Sequence, residues 1–220
     1  LGFAGVSGNG LGVLEAVLGG FLHPASGKIL HRGKDISRLN IRRLRNQGLS
    51  FVPADRLRVG SAAEATVAEN LIIDKRADFS EWWMIRKKEM DRFSRGLMER
   101  YGIDGEPGDL LGSLSGGNIQ KVILAREIDQ FRDYIVFSEP TWGLDIAAGA
   151  RVYDEIAGLR RRGAAVILIS TNLDEILANA DRIIVMYRGT AAAELRNSGE
   201  PGLRERTGAF MLGMKPEDET

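Results

Sequence analysis

Three short stretches of this 220-residue chain hold residues whose types and spacing could do chemistry. The first, Gly5-Val6-Ser7-Gly8-Asn9-Gly10-Leu11-Gly12, keeps the glycine spacing of the phosphate-binding pattern G-x-x-x-x-G-K-[ST]. Glycines at those places let successive backbone N–H groups turn inward around an anion beside a helix N-terminus, so Gly8 to Gly12 can form an anion nest. The two chemical side chains are absent: Leu11 stands where Lys would neutralise the β- and γ-phosphates, and Gly12 where a hydroxyl would hold Mg²⁺. A hydrogen bond to a charged group is worth about 1.5–3 kcal/mol, so the missing Lys alone weakens nucleotide binding roughly tenfold to a hundredfold. By itself the loop reads equally well as a tight structural turn. The second stretch is a Ser-Gly-Gly turn, Leu114-Ser115-Gly116-Gly117-Asn118, opening onto Ile119-Gln120-Lys121. The third sets Ser138-Glu139-Pro140-Thr141 at the end of an apolar run, followed by Gly143-Leu144-Asp145.

The elements that must position these residues follow from punctuation and period. Leu1 to Val6 is a short apolar strand, Ser7 to Gly12 a turn, and Val13 to Leu18 a helical run. Ser26 to Ile36 has turn signals at both ends and predicts a small hairpin; Arg38 to Asn46 predicts a helix and Gly48 to Val52 a strand. From Val67 to Tyr101 helix formers dominate, and Met90, Phe93, Leu97 and Tyr101 recur at three- and four-residue steps, which predicts a helical insert. Trp82 and Trp83 read as packing anchors of that insert. Helices over Ile119–Ile128 and Asp145–Arg162 alternate with strands over Tyr134–Phe137 and Ala164–Ser170, and Arg182 to Leu195 closes as a hairpin. The fold class is therefore α/β: a mainly parallel sheet flanked by helices, with chemistry expected at the carboxyl ends of the strands. The expected layout is a core from 1–66 and 114–197, a small helical subdomain over 67–113 ending at the Ser-Gly-Gly turn, and a polar, loosely held tail over 198–220.

Composition removes several classes of function. Thirty basic and thirty acidic side chains leave no net field to attract nucleic acid or an anionic membrane. Without cysteine there is no thiolate nucleophile or zinc–thiolate site, and His23 and His31 are the only imidazoles, so no metal site is expected. The apolar runs fall far short of the ~18–20 residues that a membrane helix requires. The chain opens on Leu1-Gly2-Phe3-Ala4 without Met or a charged leader, which reads as a cut start with no signal peptide.

Taken together, the three stretches resemble the ATP-binding domain of ABC transporters. Leu114 to Lys121 is similar to that family's LSGG signature, Ser138-Glu139-Pro140-Thr141 to its Walker B segment, Gly143-Leu144-Asp145 to its D-loop, and Gly5 to Gly12 to its Walker A loop. The resemblance implies a P-loop NTPase-type core. It also implies a head-to-tail pair of domains in which each ATP lies between one domain's phosphate loop and the other's signature. Ser115 would then donate its hydroxyl, and Gly116 and Gly117 their close backbone, to ATP held by the other domain. Carried over residue by residue, Glu139 stands at the general-base position. Ser138 replaces the carboxylate that supports Mg²⁺, and Thr171 replaces the switch histidine. Phe51-Val52-Pro53-Ala54-Asp55-Arg56 lacks the γ-phosphate-sensing Gln and is similar instead to the Pro-Glu-Asp-Arg version of sugar importers.

An eroded Walker A loop beside an intact signature resembles the second, degenerate domain of fused sugar or nucleoside importer ATPases. That implies ATP as ligand, with Mg²⁺ weak or absent at this domain's own site. The implied partners are a second ATP-binding domain, fused or dimeric, and integral membrane permease subunits facing Val67–Tyr101, with no nucleic acid. It also implies a peripheral place on the cytoplasmic face of the membrane. Asp145 reads both as a contact to the opposite domain and as the N-cap of the following helix, and the two are compatible. Two other readings stay open: a soluble ABC-type ATPase acting on DNA or ribosomes, which would be expected to carry a coiled-coil insertion or basic arm, and a catalytically silent regulatory module.

Overall fold

The computed structural model describes residues 1–82, 84–130 and 132–214. In chain order the first elements are β1 (Gly2–Ala4), α1 (Leu11–Leu18), β2 (Leu30–His31), β3 (Lys34–Asp35), α2 (Ile41–Asn46) and β4 (Leu49–Val52). Then come α3 (Val67–Ile72), β5 (Ser80–Glu81), β6 (Met84–Ile85), α4 (Lys87–Tyr101) and α5 (Gly116–Asp129). The chain continues through β7 (Tyr134–Ser138), α6 (Ile146–Arg161), β8 (Ala165–Ser170), α7 (Leu173–Asn179), β9 (Arg182–Tyr187), β10 (Thr190–Arg196) and α8 (Leu203–Met211). No helix among the described residues is long and apolar enough to cross a membrane. The described residues fall into two compact units, one drawn from 1–51, 132–139 and 156–214 and the other from those of 52–130 and 140–155.

The first unit is built on a six-stranded sheet in the order β10-β9-β1-β8-β7-β4. Strand β1 pairs in parallel with both β8 and β9, β7 pairs in parallel with β8, and β10 folds back antiparallel on β9. Residues Ile135 to Ser138 are buried without alternation, as expected of a parallel strand covered on both faces. One face packs Leu11, Leu14 and Leu18 of α1 with Ile36, Leu44, Leu49, Phe51, Val136 and Ile169. The spacing of the three α1 leucines, three and four residues apart, places them on one helical stripe.

The second unit is helical. Ala68, Ile72 and Met90 form a cluster with Phe79, Ile85 and Phe93. Helix α5 is buried along most of its length, from Ile119 to Ile128 with the exception of Lys121. Thr66 caps α3 in a reciprocal box: its hydroxyl accepts from the Glu69 N–H, and the Glu69 carboxylate accepts from the Thr66 N–H at 2.8 Å.

The structure departs from expectation chiefly at the following places. Helix α1 starts at Leu11 rather than Val13, because Gly10 takes a left-handed φ of 99° and ends the turn sooner. Helix α5 starts at Gly116 rather than Ile119, so both signature glycines lie inside its first turn. The insert is interrupted: a 3-10 turn over Ile73–Phe79 and the β5–β6 hairpin separate α3 from α4. Trp82 lies in that hairpin turn at φ 59° and is 88% exposed, so it is not a packing anchor; Trp83 lies outside the described residues. The expected loose tail carries α8, with Leu203, Thr207 and Met211 buried at four-residue spacing, while 215–220 lie outside the described residues.

The capping box gives a stability test. Hydrogen bonds from Thr66 hold the Glu69 carboxyl below its ordinary 4.5. A carboxyl depressed by folding stabilises above its unfolded pKa, and that contribution disappears as pH falls through the folded value. Thr66→Ala is expected to cost about 0.5–2 kcal/mol in urea unfolding at pH 7, and the difference between wild type and Glu69→Gln should shrink as pH is lowered below 4.5.

Candidate functional site

Parallel pairing brings the chemistry-bearing strand ends of the first unit to one edge. Ala4 is in register with Ser170, and Ile169 with Ser138, so the Gly5–Gly10 loop, Glu139 and Thr171 all leave the sheet on the same side. This edge includes the ends of β1 and β8, neighbours in the sheet, where α/β folds place their ligands.

The loop itself is shaped by left-handed glycines, Gly8 at φ 87° and Gly10 at φ 99°. A methyl on Gly8 would meet only open space, whereas one on Gly10 would stand 3.0 Å from the Gly189 backbone. Asn9 is buried and tied on three sides. Its side-chain oxygen accepts from the Arg188 N–H at 3.1 Å, its amide donates to the Met211 carbonyl at 3.2 Å, and its carbonyl accepts from the Gly189 N–H. The turn is thus strapped to the β9–β10 hairpin and to α8. No side chain caps α1, so the first-turn amides of Leu11 and Gly12 have no helical acceptor and face the loop. Ser7, at the outer rim, is exposed.

The carboxylates are arranged differently from the sequence expectation. Ser138 donates its hydroxyl to Glu15 on α1 at 2.8 Å. Glu15 lies four residues after the buried Leu11, on the same helical face over the sheet. A carboxylate therefore does stand beside position 138, but the helix supplies it. Glu139 adopts φ 46°, a left-handed conformation that costs a non-glycine residue of order 1–3 kcal/mol. Its backbone N–H bonds the Ile169 carbonyl, and its carboxylate accepts from the Thr171 N–H at 2.6 Å and from Ser170 Oγ at 3.3 Å. Glu175 shares the Ser170 hydroxyl at 2.9 Å.

For a nucleotide phosphate, the candidate donors are the backbone N–H groups of Gly10, Leu11 and Gly12, since the Asn9 N–H already bonds the Val6 carbonyl at 3.1 Å. For Mg²⁺ held as the resemblance implies, the residues do not fit: Gly12 has no side chain, and the Ser138 hydroxyl is already given to Glu15.

In the second unit, Ser115 is the N-cap of α5 and accepts from the Asn118 N–H at 3.3 Å. Ser115 and Gly116 are exposed. A methyl on Gly117 would stand 3.2 Å from the Gly143 carbonyl, a close approach that glycine permits. The later motif residues hold this helix end in place. Asn118 exchanges bonds with Asp104, Gln120 donates to the Pro140 carbonyl at 2.9 Å, and Lys121 donates to the Gly102 carbonyl at 2.6 Å. Asp145 accepts from the Ala148 N–H at 2.9 Å, which holds its carboxyl below the ordinary range and caps α6. Trp142 is 63% exposed, and nothing in the structure explains its identity. The sequence-predicted residues thus form two groups, Gly5–Gly12 with Glu139 and Ser115–Gly117 with Asp145. Glu15 and Ser170 are additions, and Arg56 stands out in the sequence only within its variant motif; the four-residue step from Leu11 to Glu15 is the readable signal for the first.

The family model described as "ABC transporter" matches residues 1–142. The chain belongs to the ABC transporter ATP-binding family. It is 37% identical to the glucose import ATP-binding protein TsgD13 of Haloferax volcanii, over 97% of this chain and 39% of that protein. It is 36% identical to the nucleoside import ATP-binding protein NupA of Lactococcus lactis, over 97% of this chain and 42% of that one. The chain thus spans about two fifths of the length of these curated relatives. A dimeric ATP-binding cassette solved with ADP and Pi superposes with a TM-score of 0.75 at 19% identity, covering 90% of this chain and 85% of the other. That likeness places the fold.

The Asn9 tether predicts a measurable effect. Asn9→Ala strands the buried Met211 carbonyl and removes the part-buried bond to the Arg188 N–H, and is expected to cost about 1–3 kcal/mol in chemical denaturation. Amide exchange at Arg188 should quicken in the same variant.

Proposed function

We propose that this ABC-family domain couples ATP binding and hydrolysis to the import of a carbohydrate or nucleoside. In this reading it acts chiefly through its signature, contributing Ser115, Gly116 and Gly117 to ATP held by a second ATP-binding domain, fused or dimeric. Its own phosphate loop is degenerate and slow or inactive. Integral membrane permease subunits engage the helical unit, which places the domain on the cytoplasmic face of the membrane; nucleic acid is not a partner.

The observation that carries this reading is an asymmetry. The signature is complete and held by Asn118, Gln120 and Lys121, whereas the phosphate loop has Leu11 and Gly12 in its two chemical positions and Ser138 bonded to Glu15. Phosphoryl transfer depends mainly on positioned charge, so a general-base carboxylate at Glu139 has little to act on without Lys and a metal-supporting side chain. On the signature side, the Ser115 hydroxyl and the first-turn amides of α5 offer donors at the positive end of a 14-residue helix. Asp145 would touch the opposite domain while capping α6. The names of the relatives, glucose and nucleoside import ATP-binding proteins, support the substrate classes.

The test is steady-state ATPase and transport by the complete transporter. Ser115→Arg is expected to abolish both, and Glu139→Gln to leave most of each. The opposite pattern would overturn the half-site assignment in favour of a domain that hydrolyses ATP by itself.

A further inference from the structure

The Arg56 guanidinium lies against the signature. Nη1 donates to the Gly116 carbonyl at 2.6 Å. A methyl on Gly143 would stand 3.0 Å from Nη2 and 3.1 Å from Nη1, and one on Gly116 3.4 Å from Nη1. The guanidinium therefore fills the space between two glycines, one in the signature and one in the turn before Asp145, and Gly143 takes φ 74° there.

The segment carrying Arg56 is braced. Ser61 Oγ donates to the Arg56 carbonyl at 2.7 Å, and the Val59 and Gly60 N–H groups close a turn on the Asp55 carbonyl. The Gly60 carbonyl accepts from buried Arg126 of α5 at 2.9 Å, and Arg126 is itself paired with buried Glu127. Both ends of α5 thus hold the 55–61 turn.

No carboxylate among the described residues pairs with Arg56. A cation beside a helix N-terminus opposes the helix dipole, so stabilising α5 does not account for the placement. Its effect on one peptide group does. The Gly116 carbonyl and the Gly117 N–H belong to the same planar unit and point in opposite directions. Fixing the carbonyl from behind aims that N–H out of the helix start, and a charged donor on the oxygen polarises the amide and strengthens its N–H as a donor.

We propose that Arg56 is a positioning residue that orients and polarises the Gly116–Gly117 peptide of the signature and ties it to the Gly143 turn. This rests on the reading that the signature faces ATP held by the partner domain. Arg56 acts through the Gly117 N–H and need not touch the nucleotide.

The experiment measures ATPase kinetics of the complete transporter carrying Arg56→Met, which keeps an apolar stem without the charge, and Arg56→Lys, which keeps a charged donor. Arg56→Met is expected to lower kcat about tenfold to a hundredfold, the range for one charge-assisted hydrogen bond. ATP binding without turnover and the thermal midpoint should stay near wild type, and Arg56→Lys should recover most of the rate. Unchanged kcat and KM in Arg56→Met would overturn the proposal, as would a rate loss matched by a lowered midpoint and not recovered by Lys. Ser115→Arg run alongside separates the two levels. If it abolishes turnover while Arg56→Met does not change it, the role of Arg56 alone fails; if Ser115→Arg leaves turnover intact, the half-site reading fails and this inference with it.

Discussion

A three-residue strand holds the sheet together. Gly2–Ala4 pairs with β8 on one side and β9 on the other; without it the sheet would divide between the β9–β10 hairpin and the β8-β7-β4 group. The strand tolerates little change, since a methyl on Gly2 would stand 2.8 Å from Ala180 and one on Gly5 2.9 Å from the Met186 carbonyl. The register it imposes decides that the glycine loop, Glu139 and Thr171 share an edge. The site of the first unit therefore depends on backbone pairing first and on side chains second.

The second unit solves a different problem. A helix start that presents open N–H groups leaves them without intrahelical partners, so its geometry must be enforced from behind. Asn118, Gln120 and Lys121 each bond a different backbone or loop group, and the long buried face of α5 anchors the rest. Glycine at 116 and 117 carries a helix-propensity cost of about 1 kcal/mol each relative to Ala. Close approach to the Gly143 carbonyl, 3.2 Å from where a methyl on Gly117 would stand, explains why a small residue is favoured at 117.

Much of this was legible in the amino-acid sequence, and the failures have physical causes. Strands β7, β8 and β9 are legible as apolar runs between turns, and β7, buried without alternation, shows how little polar content a parallel strand covered on both faces carries. The sequence places the start of α5 three residues late because glycine weighs against helix, whereas the Ser115 side chain caps the helix from Gly116. Helix α8 was hidden among charges, its buried residues spaced four apart. The glycine loop could be named from spacing, and the signature and Glu139 from resemblance to a family, but the pairing of Ser138 with Glu15, 123 positions apart, could not. Arg56 was noticed only as part of a variant motif, and its contact with Gly116 exists only in three dimensions.

The tethering of Asn9 has a thermodynamic consequence. Fixing a backbone residue into one conformation ordinarily costs about 1–2 kcal/mol of entropy, and a loop that orders only on binding takes that loss out of the binding energy. Here the bonds to Arg188, Gly189 and Met211 order the turn before any anion arrives. The loop carries Leu11 and Gly12 at its two chemical positions on a backbone that the rest of the unit already holds, so an anion bound there would meet a turn ordered in advance.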